Sequence, residues 1–296
     1  MISRFPLALG VWVLAALAAS PAASQKADPL RLRDGYRMVI HGRGGTELSW
    51  EQFQDYTGPI RWELVGSAEV SDNAREMLRR GRQAVSQGQY DAAIELFSDA
   101  GQNSPDWEYP VYETAWAYLM AGDFSDAESY FNRLNEMVPH GFFNSQQAAD
   151  CLRREREGEV PHGTYRRMMG LERGSHDTAL FVLRDLLDRY PGYALGWERL
   201  SQFREDPKGI LDAIQRGMKA QPDPFTRDQM RLRKALLADI QGNTKKAIAS
   251  LDALVKDPDL SMPIEAQIKI ARVQLARKLK TANEGPKSDK DSSGGR

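Results

Sequence analysis

The sequence predicts an all-α protein, a solenoid of stacked helix hairpins behind a short, irregular, β-containing N-terminal segment. Three observations lead there. First, Gly88, Tyr90, Ala93, Phe97 and Pro105 are answered 34 residues later by Gly122, Phe124, Ala127, Phe131 and Pro139. Second, the pattern returns at Gly174, Ala179, Leu183, Leu186 and Pro191, and again at Gly242, Ala247, Leu251, Leu254 and Pro258. These two glycines lie 68 residues apart, twice the period. Third, apolar residues inside each segment recur at three- and four-residue steps, the period of an amphipathic helix. One hairpin cannot bury its apolar stripe alone, so its neighbours must stack on it.

The chain begins with an address. Residues 1–24 hold Arg4, an apolar run from Phe5 to Ala19 and a small-residue site at Ala22-Ala23-Ser24, the pattern of a signal peptide cut after Ser24. The run is shorter than the roughly 20 residues of a bilayer span and contains Pro6 and Gly10. An uncleaved anchor is the alternative. The expected location is the periplasm or the medium. Residues 25–73 contain two strand-like runs, Tyr36–Ile40 and Ile60–Val65, with a capping-box pattern at Ser49–Gln52 between them and a stop at Gly58-Pro59. Two strands are marginal alone, so this segment is expected against the first hairpin or partly flexible.

Residues 74–141 hold the two strongest repeats. Each reads as two amphipathic helices. A glycine in the left-handed conformation ends the first, a small alanine lets the second lie close, and a proline stops it. Gly81 and Ala84 are matched by Ala115 and Tyr118 at the same displacement. On these residues the chain resembles the tetratricopeptide repeat family, the bacterial exported kind. The resemblance is carried by Gly81, Gly88, Tyr90, Ala93, Phe97, Ala100 and Pro105 in one copy, and by Ala115, Tyr118, Gly122, Phe124, Ala127, Phe131 and Pro139 in the next. It implies a right-handed superhelical solenoid over residues 74 to about 280.

Between Gly122 and Gly174 the spacing is 52 rather than 34, so the register slips across 142–176. Phe142–Arg156 and Thr164–Arg173 read as helices there, an insertion that either adds a helix or replaces a lost one. Residues 177–261 carry degenerate repeats. Residues 262–280 read as a capping helix with Ile264, Ile268, Ala271 and Leu275 as its stripe, and 281–296 as a disordered tail.

Composition narrows the function. Across 296 residues the net charge is −1, which leaves no basic excess for nucleic acid. A single cysteine, Cys151, excludes a disulfide framework and a thiolate-rich zinc site. No cofactor, no metal centre and no catalytic constellation is expected. The His41–Gly45 run reads as a turn after a strand, and His140, His162 and His176 as surface turns. Asp185 and Asp188 read as a solvated face, and Cys151 as a packing residue.

One helix, Glu108–Ala121, has two apolar stripes. At about 100° per residue, Tyr109, Tyr112, Trp116 and Met120 fall at about 0°, 300°, 340° and 20°, away from the packing stripe around Ala115. The family resemblance implies that this side lines a concave groove, preceded by Arg75, Leu78 and Arg82 and followed by Phe143, Gln146, Asp150 and Arg154. Aromatics flanked by arginines have the composition of an interface hot spot. Three occupants fit the groove: a protein or peptide partner, the 25–73 segment folded across it, or the neighbouring repeats. The expected function is a non-enzymatic scaffold for protein–protein interaction, in envelope assembly or secretion. The alternative is an adapter held at a membrane by its uncleaved signal or by the basic end helix with Lys269, Arg272 and Arg277. Partner identity and oligomeric state stay open.

Overall fold

The computed structural model describes residues 28–284, and the expected signal peptide lies outside them. The described part is mostly helical, with 13 helices and a small three-stranded sheet near the N-terminus.

The N-terminal module consists of β1 (Arg37–His41), β2 (Glu47–Leu48), α1 (Trp50–Asp55) and β3 (Arg61–Val65). The strands pair antiparallel in the order β2-β1-β3. Met38 faces Leu64 and Ile40 faces both Trp62 and Leu48, so one face of the sheet is apolar. The run after β1 turns through Gly44 and Gly45, both at positive φ. Ser49 caps α1 reciprocally: its Oγ accepts from the Gln52 N–H at 3.2 Å, and its own N–H donates to Gln52 Oε1 at 2.8 Å. β2 escapes sequence reading because two residues carry no alternation to detect.

The helix hairpins follow: α2 (Asp72–Ser86) with α3 (Tyr90–Asn103), then α4 (Glu108–Ala121) with α5 (Phe124–Met137). Gly88 and Gly122 sit at φ 74° and 104°, the left-handed turns that the repeat requires. Ala93, Phe97, Ala127 and Phe131 are completely buried. A Cβ on Gly81 would lie 2.3 Å from the Phe97 ring, so α2 and α3 touch where only glycine fits. α6 (Ser145–Arg156), α7 (Thr164–Gly170), a 3₁₀ turn at Leu171–Arg173 and α8 (His176–Arg189) span the register slip. Gly174 departs from expectation: its φ is −88°, because a 3₁₀ turn rather than a full helix runs into it.

The later hairpins are α9 (Ala194–Phe203) with α10 (Pro207–Lys219), and α11 (Pro224–Ile240) with α12 (Thr244–Val255). α13 (Met262–Glu284) closes the stack, running four residues past the expected end of the capping helix and into the stretch expected to be tail.

The stack does not remain an open arc. α6 packs against α5 on one side and α11 on the other. Gln147 donates to Thr226 Oγ1 at 3.0 Å, and the Met262 N–H donates to the His140 carbonyl at 2.8 Å. The N-terminal module then bridges the two ends. Arg33 donates to Glu265 Oε2 at 2.9 Å and to the Pro258 carbonyl at 2.8 Å. Lys269 reaches the Arg31 carbonyl, and Arg277 the Tyr56 carbonyl, with the Arg277 guanidinium 5.5 Å from the centre of the Phe53 ring. One continuous core runs from Leu30 and Ile40 of the module through α4 and α5 to Met262 and Ile270 of α13.

Candidate functional site

The aromatic stripe of α4 exists, and it is covered. Tyr109 and Tyr112 are 5% and 3% exposed, and Phe143, which follows them along the trough, is 5% exposed. Their rings interlock: Tyr109 lies 5.0 Å from Phe142, and Tyr112 lies 5.3 Å from Phe143. From the module, the Trp62 ring packs 5.6 Å from Phe143, and the Leu64 N–H donates to the Tyr109 hydroxyl at 3.3 Å. The Tyr36 hydroxyl donates to Glu108 Oε1. Burial pushes the Glu108 carboxyl above its usual range, and burial together with Glu108 pushes the Tyr36 phenol far up.

Of the three occupants open to the sequence, the module is the one that fills this end of the trough. Leu78 is buried in the same core. Arg82 pairs with Glu113 at 2.7 Å and lies 5.5 Å from the Tyr109 ring centre, so its charge is spent inside the fold. The far end is closed by α7. Tyr112 donates to Asn144 Oδ1 at 2.9 Å, and Asn144 donates to the Tyr165 hydroxyl at 3.0 Å. Trp116 is half-buried between Phe131 and Tyr165, at 5.9 and 6.3 Å.

The polar members of the expected set hold the molecule together. Gln146 donates to the Pro139 carbonyl at 3.1 Å and accepts from Ser261 at 3.4 Å. Arg154, which the sequence places in an open groove, is 8% exposed. Its guanidinium donates to Asp150 (2.7 Å), Glu159 (2.9 Å) and the carbonyls of Gly192 (3.2 Å) and Gln221 (2.9 Å). It thereby ties α6 to the loops that flank α9 and α10. Asp150 serves Arg153 and Arg154 together. Arg75 is exposed and Met120 half-buried. Of the eleven residues, Leu78, Tyr109, Tyr112, Phe143 and Arg154 are therefore interior, and the rest are half-buried or, like Arg75, exposed. The expectation of an open partner groove through Leu78, Tyr109, Tyr112, Phe143 and Arg154 is corrected: the large apolar side chains gain by burial under the chain's own cover, and Arg154 is held inside by Asp150, Glu159 and two backbone carbonyls.

A cover by the 25–73 segment is among the occupants the sequence allows, but the residues that make it are not singled out there. Tyr36, Trp62 and Leu64 come from the module, and Phe142, Asn144 and Tyr165 from the slipped register. The one usable signal is the apolar face shared by two strands too short to stand alone. His140 does more than occupy a surface turn: its ring binds Asp34 Oδ1 at 2.8 Å, joining the module to the turn before α6. The basic end helix is likewise engaged: Lys269 pairs with Glu265 at 3.3 Å and Arg272 with Asp252 at 2.6 Å.

Among the described residues no group of three His, Cys, Asp or Glu side chains is placed to hold a metal. Burial holds the Cys151 thiol well above its usual pKa, which suits packing rather than nucleophilic attack. No helix among the described residues is long and apolar enough to cross a membrane.

A surface depression lies between α7 and α8. Its volume is about 140 Å³, and its walls include Pro161, Met168, Val182, Leu186 and Tyr190, with Arg167, Asp185 and Arg189 also lining it.

Among known proteins, a family match falls on the two strongest repeats. No curated protein matches the chain. A thermophilic TPR protein of Thermus thermophilus is 19% identical over 68% of this chain and 99% of its own, with a TM-score of 0.29. MamA from Desulfovibrio magneticus RS-1, residues 41 to the end, is 14% identical over 72% of this chain and 100% of its own, with a TM-score of 0.31. Residues 84–141, the end of α2 through α5 and the turn beyond, match the tetratricopeptide repeat family.

Proposed function

We propose that this chain is a non-catalytic scaffold for protein–protein interaction, acting outside the cytoplasm. The reading is supported chiefly by the stack of helix hairpins, on whose first two the family match falls, a framework that presents long helix surfaces. Because the N-terminal module fills the trough, a partner is received on the outside of the closed stack. Export rests on the Met1–Ser24 pattern. The basic groups of α13 that would serve a membrane adapter are already bound to Glu265, Asp252 and the module, which weighs against the end-helix route to a membrane.

Site-specific photocrosslinking in the producing cell tests this reading. A photoreactive residue is placed in turn at exposed positions of each hairpin, such as Glu95 on α3, Phe181 on α8 and Lys246 on α12. The proposal predicts a discrete protein adduct from a contiguous set of positions, and a product whose N-terminus begins after Ser24. Absence of adducts at every position, or turnover of a substrate by the purified chain, overturns it.

A further inference from the structure

The charges of this chain are sorted along it. Residues 83–132, which run from the end of α2 into α5, hold nine Asp and Glu and no Lys or Arg. Lysine shows the converse: one lies in residues 1–207 and eleven lie in residues 208–296. Of the nine acids, Glu108, Glu113 and Glu128 are held by Tyr36, Arg82 and Arg156. The other six, Asp91, Glu95, Asp99, Asp106, Asp123 and Asp126, are exposed and have no ion-pair partner among the described residues. The same holds for the six lysines between residues 208 and 256: Lys208, Lys219, Lys234, Lys245, Lys246 and Lys256. The two sets therefore do not neutralise each other within one chain. α3 packs against α2 and α4, and α12 against α11 and α13.

Helix stability does not explain the sorting. Asp91 on α3 and Lys245 on α12 take the same place in their repeats, two residues before the buried Ala93 and Ala247. The first turns of α3 and α5 carry Asp91 and Asp126, the sign that a helix N-terminus favours. Those of α10 and α12 carry Lys208 and the Lys245–Lys246 pair, the sign that it opposes. Each face also has apolar surface at hand. On the acidic side the Tyr118 ring lies 5.4 Å from that of Tyr130. The negative charges of Asp91, Asp123 and Asp126 all push the Tyr118 phenol up, so the acids of two hairpins form one patch around it. On the lysine side, Met218 precedes Lys219, and Ile240 ends α11 just before the turn into α12. These two side chains are 41% and 60% exposed.

Building on the scaffold reading, we propose that one protein this scaffold binds is a second copy of itself, the acidic face of α3 and α5 docking on the lysine face of α10 and α12. A polyanion or an anionic lipid surface would use the lysines and leave the acids without a role, whereas another copy uses both. The two faces differ, so the contact is heterologous. A dimer keeps one free acidic face and one free lysine face, and assembly continues into chains or closes into a ring. A contact of this kind is steered by charge and weakens with salt.

The test is sedimentation velocity of the purified full chain over a range of protein concentrations, at about 50 and about 500 mM salt. The proposal predicts assembly beyond the monomer that grows with concentration, with an apparent Kd at least about tenfold weaker at the higher salt. One variant carries Asp91→Lys, Glu95→Lys and Asp126→Lys, and another Lys208→Glu, Lys245→Glu and Lys246→Glu. Each alone sediments as a monomer, with circular dichroism unchanged. Their equimolar mixture assembles again, because the two reversed faces attract each other and both intact faces are still present. A wild type that stays monomeric at low salt, a variant that assembles alone as the wild type does, or a mixture that stays monomeric overturns the proposal. So does a monomer that floats with phosphatidylglycerol vesicles only while its lysines are intact, because the lysine face then belongs to a lipid surface. The scaffold reading fails separately. Photocrosslinked adducts to a different protein from a monomeric chain remove self-docking and leave the scaffold standing, whereas no adduct from any position removes the scaffold itself.

Discussion

At the scale of single residues, the fold depends on groups that have no freedom to change. Gly81 is an example. Replacing a glycine inside a helix with alanine ordinarily gains about 1 kcal/mol. Here the new Cβ would fall 2.3 Å from a Phe97 ring that is itself completely buried. Gly81→Ala is therefore expected to cost about 1–3 kcal/mol, seen as a lower denaturation midpoint in urea. Asp223 gives a prediction in pH. Its carboxylate caps α11 by accepting from the Thr226 N–H at 3.0 Å, and burial raises its pKa from the ordinary 3.8 to about 6. The folded chain thus holds a proton that the unfolded chain has lost between about pH 4 and 6, so this group's contribution to stability falls as pH rises through that window. Asp223→Asn keeps the acceptor and removes the charge. Thermal melts should show it more stable than wild type by a few degrees at pH 7.5, with a flatter profile from pH 4 to 6.

At the scale of elements, much of the architecture is legible in the sequence and the cover of the trough is not. The hairpins can be read because Gly88, Ala93, Gly122 and Ala127 mark places where backbone conformation or helix contact leaves one or two residue types. The double stripe on α4 is legible too, since Tyr109, Tyr112 and Trp116 are too large and too many for hairpin packing alone. What lies on that stripe is not decided by sequence, because an exposed hot spot and a buried seam have the same composition. The distinction resides in long-range pairings such as Leu64 with Tyr109 and Arg33 with Glu265, separated by 45 and 232 positions and marked by no local periodicity. Arg33 ought then to be the sensitive point of the module. Arg33→Met removes one partner of a pair whose side chains are only 16% and 10% exposed, and frees the Pro258 carbonyl. A loss of about 1–3 kcal/mol is expected, with faster amide exchange in β1 and β3 than in α2 and α3.

At the scale of the whole molecule, a repeat array built from neighbours alone would stay open, its ends independent. This chain is instead closed by long-range ties, among them Arg154 between α6 and the later loops, His140 to Asp34, and the module to α13. Closure turns this end of the trough into core, so the proposed scaffold would receive a partner on its outer faces. The most direct measurement is an intramolecular cross-link between the ends. In the doubly substituted chain Arg33→Cys, Glu265→Cys, the native Cys151 is 1% exposed and stays out of the chemistry. A short bis-maleimide should join positions 33 and 265 within the folded monomer in high yield, and fail to do so in denaturant. If both cysteines label singly in the native monomer and no cross-link forms, the ends are apart and the trough is open.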